Sequence, residues 1–158
     1  MNLGTVMVGG DAARPTIDLG EGQHVVVPAA ALDRYARLPE RIGREVVVGM
    51  RPEHFARQPE GEGATWRDCT VTLVEMLGAE MLVHVETSVA PVLSDVVRDA
   101  MDDADAYAEL ERGARAGGQQ FVARFEPGDP PRVGERITMG FRTDRLHFFD
   151  PDTGAALR

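Results

Sequence analysis

The segment from residue 66 to residue 86, which reads WRDCTVTLVEMLGAEMLVHVE, decides the fold class. Apolar and polar residues alternate over residues 66–75, which is the pattern of a β-strand with one buried face. The face expected to be buried holds Cys69, Val71 and Leu73. A turn signal follows at residues 77–80, and a second alternating run covers residues 81–86. The segment therefore predicts an antiparallel β-hairpin.

Short runs rich in β-branched residues recur on both sides of this hairpin. They predict strands over residues 2–8, 16–19, 24–27, 45–50, 120–125, 136–141 and 145–149, separated by turns rich in Gly, Pro and Asp. A short helix is predicted from Ala29 to Tyr35, with Pro28 in its first turn and Pro39 at its end. Many short strands with close turns predict one small closed or nearly closed β-barrel.

One stretch, residues 89–116, has a helical pattern instead. Its apolar residues recur three and four positions apart, at Leu93, Val96, Val97, Ala100, Ala104 and Tyr107. Between Glu86 and Arg112 there are eight acidic residues and two arginines, so this stretch carries −6 of the net charge of −9. It predicts an acidic helical insertion in the barrel, with the acids in water.

Composition bounds the class of protein further. A length of 158 residues favours a single domain with its own core. Cys69 is the only cysteine, which rules out an intrachain disulfide and favours a reducing compartment. The longest apolar stretch, residues 25–32, is far shorter than the roughly 20 residues that span a bilayer. The first ten residues lack the pattern of a secretory signal, so the cytoplasm is the expected location.

The residues needed for several kinds of catalysis are missing from the sequence. All 17 basic residues are arginines, and a P-loop ATPase needs a lysine on the transferred phosphate. The only serines, Ser88 and Ser94, do not lie in a nucleophile elbow. The histidines at positions 24, 54, 84 and 147 are too far apart for a helical zinc site, and His84 fits a half-exposed position on a strand. The acidic cluster at 102–105 lacks the glycine and terminal glutamate of a calcium loop.

Nucleic-acid binding is a weaker alternative for a barrel of this size. Such barrels bind single strands with a basic groove and stacking aromatics, whereas this chain is acidic and 6% aromatic. A local basic patch of Arg34, Arg37, Arg41 and Arg44 keeps the alternative open. The residues alone thus predict a barrel used for binding, dimerisation or regulation.

Three segments resemble a known family. Residues 46–54, VVVGMRPEH, resemble the G-[IV]-R-P-E-H segment in the C-terminal regulatory domain of the ATPase subunits of carbohydrate-importing ABC transporters, of the maltose, trehalose and glycerol-phosphate importer type. Residues 74–80, VEMLGAE, are similar to the family's V-E-x-L-G-x-E hairpin. Residues 131–137 and 145–150, PRVGERI and RLHFFD, resemble its closing run, and the Met-Asn at residues 1–2 resembles the start of the domain.

This resemblance covers residues 1–154 and departs mainly at the acidic insertion, about residues 87–118. It implies an all-β, OB-fold-like small β-barrel of the MOP/TOBE type with a helical insertion, as a single domain over residues 1–158. The upstream nucleotide-binding domain, which in the family holds ATP and Mg²⁺, is not in this chain. The resemblance therefore implies no enzyme activity, no metal and no cofactor here.

The function implied by the resemblance is regulation and dimerisation of the ATP-binding subunit of an ABC importer for sugars or related solutes. The implied partners are a second copy of the chain, the membrane subunits and regulatory proteins, on the inner face of the cell membrane; nucleic acid is not expected. The alternative is a free-standing OB-type barrel that binds an oxyanion such as molybdate or, less favoured, single-stranded nucleic acid. The transported solute is not encoded in this segment.

Two segments are the candidate site. The first is Arg51, Pro52, Glu53 and His54, in which the proline ends strand pairing and the charged pair is expected to lock the loop by hydrogen bonds. We expect it to fix the geometry of the barrel more than to touch a partner. The second is the turn of Leu77, Gly78, Ala79 and Glu80, whose exposed tip is the better candidate for contact with a subunit or regulator.

Overall fold

Ten β-strands in two five-stranded antiparallel sheets make up the described part of the chain. The computed structural model describes residues 1–58, 64–92 and 118–158. The strands are β1 (Asn2–Asp11), β2 (Arg14–Asp18), β3 (His24–Val26), β4 (Glu45–Met50), β5 (Phe55–Ala56), β6 (Ala64–Met76), β7 (Met81–Thr87), β8 (Gln119–Phe125), β9 (Arg136–Phe141) and β10 (His147–Phe149). The first sheet has the order β10-β4-β1-β2-β3, and the second has the order β5-β9-β6-β7-β8.

The strands lie close to the positions predicted from alternation. The β6–β7 hairpin pairs from Met76 opposite Met81 to Thr70 opposite Glu86, which confirms the central prediction. Strands β4 and β9 have the predicted bounds. Strand β10 begins two residues later than predicted, because Thr143–Arg145 form a 3-10 turn.

The helix after β3 is shorter than predicted. Helix α1 (Ala29–Leu32) has only four residues, and Pro28 precedes it as an extended cap residue with φ −72° and ψ 156°. Tyr35 therefore lies beyond the helix. Pro39 does not end it either, but lies in the first turn of a separate 3-10 helix, Leu38–Arg41. A proline fits there because its missing N–H would have no partner in a first turn.

Two irregularities in β6 change which side chains point inward. The register shifts between Trp66 and Cys69, where Asp68 has a positive φ of 60°. It shifts again between Val71 and Leu73. Cys69 and Val71 are buried, but Leu73 is 46% exposed, so the predicted burial of Leu73 is wrong. A bulge adds one residue and reverses the inside–outside alternation beyond it.

The core lies between the two sheets and is centred on aromatic rings. Trp66 and Phe121 are fully buried, with ring centroids 5.0 Å apart and nearly perpendicular planes. Phe55 and Phe141 pack beside them. Phe148 extends the core under the first sheet, against Tyr35. Edge-to-face ring pairs of this kind add to the stabilisation from burial.

The side chain of Asn2 joins the two sheets. Its amide donates to the carbonyl of Val122 at 2.9 Å and accepts from the Val122 N–H at 2.8 Å. Asn2 thus takes the place of a strand partner for β8. Nearby, Thr5 forms an isolated antiparallel bridge with Ala90. These links curl the strands into an OB-like, all-β fold, which confirms the predicted fold class.

The described ends of the predicted insertion belong to the barrel. Val89 is 2% exposed, and the Ser88 hydroxyl donates to the Leu19 carbonyl at 2.7 Å. Gly118 has a positive φ of 69°, and a Cβ there would lie 1.7 Å from the Thr87 carbonyl oxygen. Residues 88–92 are therefore not helical, contrary to the prediction of a helix from Val89. Residues 93–117, with the predicted apolar stripe and most of the acids, lie outside the described residues.

In the described ranges no helix is both long enough and apolar enough to cross a membrane.

Candidate functional site

Backbone hydrogen bonds hold the Arg-Pro-Glu-His segment in place. Arg51 leaves β4 with extended geometry, and Pro52–His54 form one 3-10 turn closed by a bond from the His54 N–H to the Arg51 carbonyl at 3.0 Å. The chain then enters β5, where Phe55 is buried. The Arg142 N–H donates to the His54 carbonyl at 3.0 Å, which ties the segment to the end of β9.

The charged side chains of this segment do not form the expected hydrogen-bonded lock. The closest contact between the Arg51 guanidinium and the Glu53 carboxylate is 3.9 Å, too long for a hydrogen bond, and both side chains are well exposed. A backbone N–H lowers the pKa of Glu53 below its usual value, and nearby His54, Arg124 and Arg51 act in the same direction. The main chain therefore fixes this segment, and its charged groups face water.

His54 is half-buried and has an unusual environment. Its Nδ1 atom is buried and has no hydrogen-bond partner among the described residues. Burial lowers the pKa of His54, and the positive charges of Arg145, Arg51 and Arg142 lower it further, outweighing the opposite effect of Glu53. The imidazole is therefore mainly neutral at pH 7.

The tip of the β6–β7 hairpin projects into solvent. The Leu77 N–H donates to the Glu80 carbonyl at 2.9 Å, and Gly78 takes a φ of 77° that a residue with a side chain rarely adopts. Met76 and Leu77 are each 54% exposed. The predicted turn is thus tight, exposed and apolar at its first corner.

The two predicted segments line one open cleft of 770 Å³. Glu53 and His54 form one side of it, and Ala79 and Glu80 form another. Arg124 of β8 lies between them: its guanidinium is 3.3 Å from the Glu80 carboxylate, and its charge also acts on Glu53. Other lining residues include Arg57, Phe125, Glu126, Pro127 and Arg142. The cleft therefore lies between the Arg-Pro-Glu-His segment and the hairpin tip, with Arg124 between them.

Sequence reasoning missed Arg124, Arg57 and Arg142 as neighbours of these segments. Arg124 lies at an outward position of β8, opposite Leu82, and a strand pattern shows only that such a residue faces solvent. Arg57 is placed by the two-residue strand β5, which is too short to recognise by alternation.

No metal site is formed by the described residues. The His84 ring nitrogen Nε2 lies 2.8 Å from a Glu75 carboxylate oxygen across the hairpin, as a cross-strand pair. His24 lies 4.0 Å from Asp18 on the β2–β3 hairpin. Both histidines thus have ordinary neighbours on strands.

Comparison with known proteins agrees with this architecture. Residues 48–117 match the model of the TOBE domain family. The matched region begins in β4 and includes both the Arg-Pro-Glu-His segment and the hairpin tip. The chain contains a TOBE domain.

The chain is similar to parts of several import proteins. It is 30% identical over 135 residues to the sn-glycerol-3-phosphate import ATP-binding protein of Chromobacterium violaceum, covering 85% of this chain and 26% of that protein. It is 32% identical over 117 residues to the trehalose import ATP-binding protein of Mycobacterium tuberculosis, covering 71% and 28%. It is 31% identical over 155 residues to the sn-glycerol-3-phosphate import ATP-binding protein of Bordetella pertussis, covering 98% and 32%.

The chain spans about a quarter to a third of the length of these relatives. It therefore corresponds to a domain of an import ATP-binding subunit, as its motifs predicted. The TOBE domain is not the catalytic part of such a subunit.

The single cysteine of the TOBE domain is predicted to be chemically inert. Burial raises the pKa of the Cys69 thiol to about 12, and the carboxylates of Asp68 and Glu21 add to the effect. The reactive thiolate is therefore a minute fraction at neutral pH. We expect no labelling of the folded chain by a disulfide reagent on the time scale on which the urea-unfolded chain reacts completely. Rapid stoichiometric labelling of folded protein would contradict the buried placement of Cys69.

Proposed function

We propose that this TOBE domain regulates and dimerises the ATP-binding subunit of an ABC importer for sugars or related solutes. The observation that carries the proposal is the similarity to import ATP-binding proteins, which extends over as much as 98% of the chain. The names of the relatives point to trehalose and sn-glycerol-3-phosphate as the kinds of solute involved. ATP hydrolysis would take place elsewhere in the subunit, on the cytoplasmic face of the membrane.

The exposed apolar tip of the β6–β7 hairpin supports a role in contacts between subunits. Met76 and Leu77 are 54% exposed, and Leu73 is turned outward by the bulge in β6. Met76 and Leu77 are adjacent at the tip, and exposed apolar surface of this kind is typical of sites of protein contact. We therefore place the contact with a second copy, or with a regulator, at this tip.

Dimerisation is tested by measuring the mass of the chain by sedimentation equilibrium up to about 1 mM, the effective concentration that a tether to a larger subunit provides. We expect the mass to rise with concentration. The paired substitutions Met76→Ser and Leu77→Ser should shift self-association to about tenfold higher concentration, because they remove apolar contact area.

Met7→Ser is the matched control, since Met7 is 42% exposed on the outer face of the first sheet. It should leave self-association unchanged. A chain that remains monomeric over the whole range would contradict dimerisation. An effect of Met7→Ser alone would move the contact from the hairpin tip to the first sheet.

The regulatory part is tested in the intact ATP-binding subunit that carries the domain. Met76→Ser and Leu77→Ser leave the catalytic residues untouched, so the ATPase rate of the isolated subunit should be preserved while its response to a regulator or its coupling to transport falls. Unchanged coupling and response would contradict a role of the hairpin tip in regulation.

A further inference from the structure

A cluster of four arginines, together with His147, lies at the end of the first sheet where β4 ends and β10 begins. The cluster, called here the basic surface, consists of Arg34, Arg51, Arg142, Arg145 and His147. Three parts of the chain build it. The Arg142 N–H bond to the His54 carbonyl joins the segment after β9 to the segment after β4. The Tyr35 hydroxyl lies 2.9 Å from His147 Nδ1 and joins the region after α1 to β10.

In the described part of the chain, two arginines of the basic surface share one carboxylate. Asp144 interacts with Arg142 at 2.8 Å and with Arg145 at 3.3 Å, so one carboxylate serves two guanidinium groups. Arg34 donates to the backbone carbonyl of Asp144, which carries no charge. Arg51 has only the loose 3.9 Å contact with Glu53 within the described residues.

Several positive charges lie close together at this edge. His147 is paired with Gly49 across β4 and β10, and the charges of Arg145, Arg51 and Arg142 all act on His54, which follows β4. The pKa of His147 is lowered by burial and then by Arg51 and Arg34. The local potential is thus positive although the chain has a net charge of −9.

The guanidinium groups of the basic surface are open to solvent. The side chains of Arg51, Arg142 and Arg145 are 55%, 50% and 53% exposed. They are spread over a broad surface, and Asp144 already occupies the position between Arg142 and Arg145. A compact anion placed there would meet that carboxylate, whereas an extended acidic chain can reach the outer N–H groups of several arginines.

We propose that the basic surface, built around Arg51 and Arg145, docks an acidic segment of a partner protein. The inference rests on the proposed regulatory function, because it states the chemistry of a protein that would bind such a domain. Complementary charge on an exposed surface of this kind affects the rate and specificity of association more than the final affinity. It also makes docking sensitive to ionic strength.

The test is binding of a fluorescently labelled peptide of about twelve glutamates to the full chain, followed by anisotropy at low ionic strength. Arg51→Glu combined with Arg145→Glu should weaken binding about tenfold or more. Arg14→Glu combined with Arg44→Glu is the matched control, because both arginines are exposed at the opposite end of the first sheet and the change in net charge is identical. The control should change binding less than about twofold.

Each outcome decides the proposal. Equal weakening by both pairs, or no binding to the unmodified chain, would overturn it. Displacement of the peptide by inorganic phosphate, beyond the effect of chloride at matched ionic strength, would overturn it in favour of a compact-anion site. Arg51→Gln combined with Arg145→Gln, checked by circular dichroism, repeats the test if the charge reversals unfold the chain. The sedimentation test of dimerisation at the hairpin tip has a separate readout, so failure of the proposed function is distinguishable from failure of the docking surface.

Discussion

Replacing Phe121 with alanine is expected to lower the free energy of unfolding by about 3–5 kcal/mol. Phe121 is fully buried, and its ring packs edge-to-face on Trp66 and beside Phe55. It also fills the space over Gly4, where a Cβ would lie 3.2 Å from the ring. The neighbours come from both sheets and cannot collapse onto a cavity without separating strands. Urea unfolding followed by the fluorescence of Trp66, the only tryptophan, measures the change.

Two further substitutions serve as comparisons for Phe121→Ala. Phe121→Leu keeps most of the apolar volume and should cost less than half as much as the alanine substitution. Val133→Ala removes methyl groups from a side chain that is 68% exposed and should change stability by less than about 0.5 kcal/mol. A loss below about 1 kcal/mol for Phe121→Ala would contradict a core in which this ring joins the sheets.

Replacing Asp150 with asparagine is expected to destabilise the chain at neutral pH and to have little effect in acid. The Asp150 carboxylate accepts hydrogen bonds from the N–H groups of Thr153 and Asp152, both at 3.0 Å, and forms an ion pair with Arg41. The Thr153 N–H is the main cause of the lowered pKa of Asp150, with Asp152, the Thr153 side chain and Arg41 contributing. The folded state thus stabilises the ionised Asp150 carboxylate relative to the unfolded chain.

The sign of the pH dependence follows from that lowered pKa. The stabilisation is fully present above the pKa of about 3.9 that an aspartate has in the unfolded chain, and it is lost as the pH falls through the lower pKa of the folded state. The melting temperatures of the parent and Asp150→Asn chains should therefore differ most near pH 7 and converge in acid. Asp152→Asn, at an exposed position, is the control and should shift melting little. A difference that persists unchanged into acid would contradict the role of the charge.

The strands could be predicted from the sequence because their signal is local. Alternation and β-branched residues depend only on near neighbours, and they located the β6–β7 hairpin, β4 and β9 within a residue or two. The bulges in β6 could not be predicted in the same way. Leu73 continues the apolar alternation of the sequence, yet the extra residue opposite β7 turns it outward. A bulge is decided by the pairing partner, which a single strand does not reveal.

The boundaries of the insertion could not be predicted from the sequence for the same reason. Val89 fits a helical pattern, but it is buried, and neighbouring Ala90 bridges to Thr5 of β1. Asn2 likewise reads as an ordinary polar residue near a strand start, although its amide replaces a backbone partner for Val122. Both contacts join residues more than eighty positions apart, so the local sequence pattern cannot reveal them.

The sequence by itself determined the all-β class, the absence of a P-loop lysine, and the two segments that resemble motifs of importer ATP-binding subunits. These depend on residue identity and on short-range order. Only the tertiary structure decided that the two segments share a cleft across Arg124, and that Arg51 and Arg145, from different parts of the chain, both lie near His54. The physical reason is that strand register and sheet curvature set which side chains meet, and both arise from pairing between distant parts of the chain.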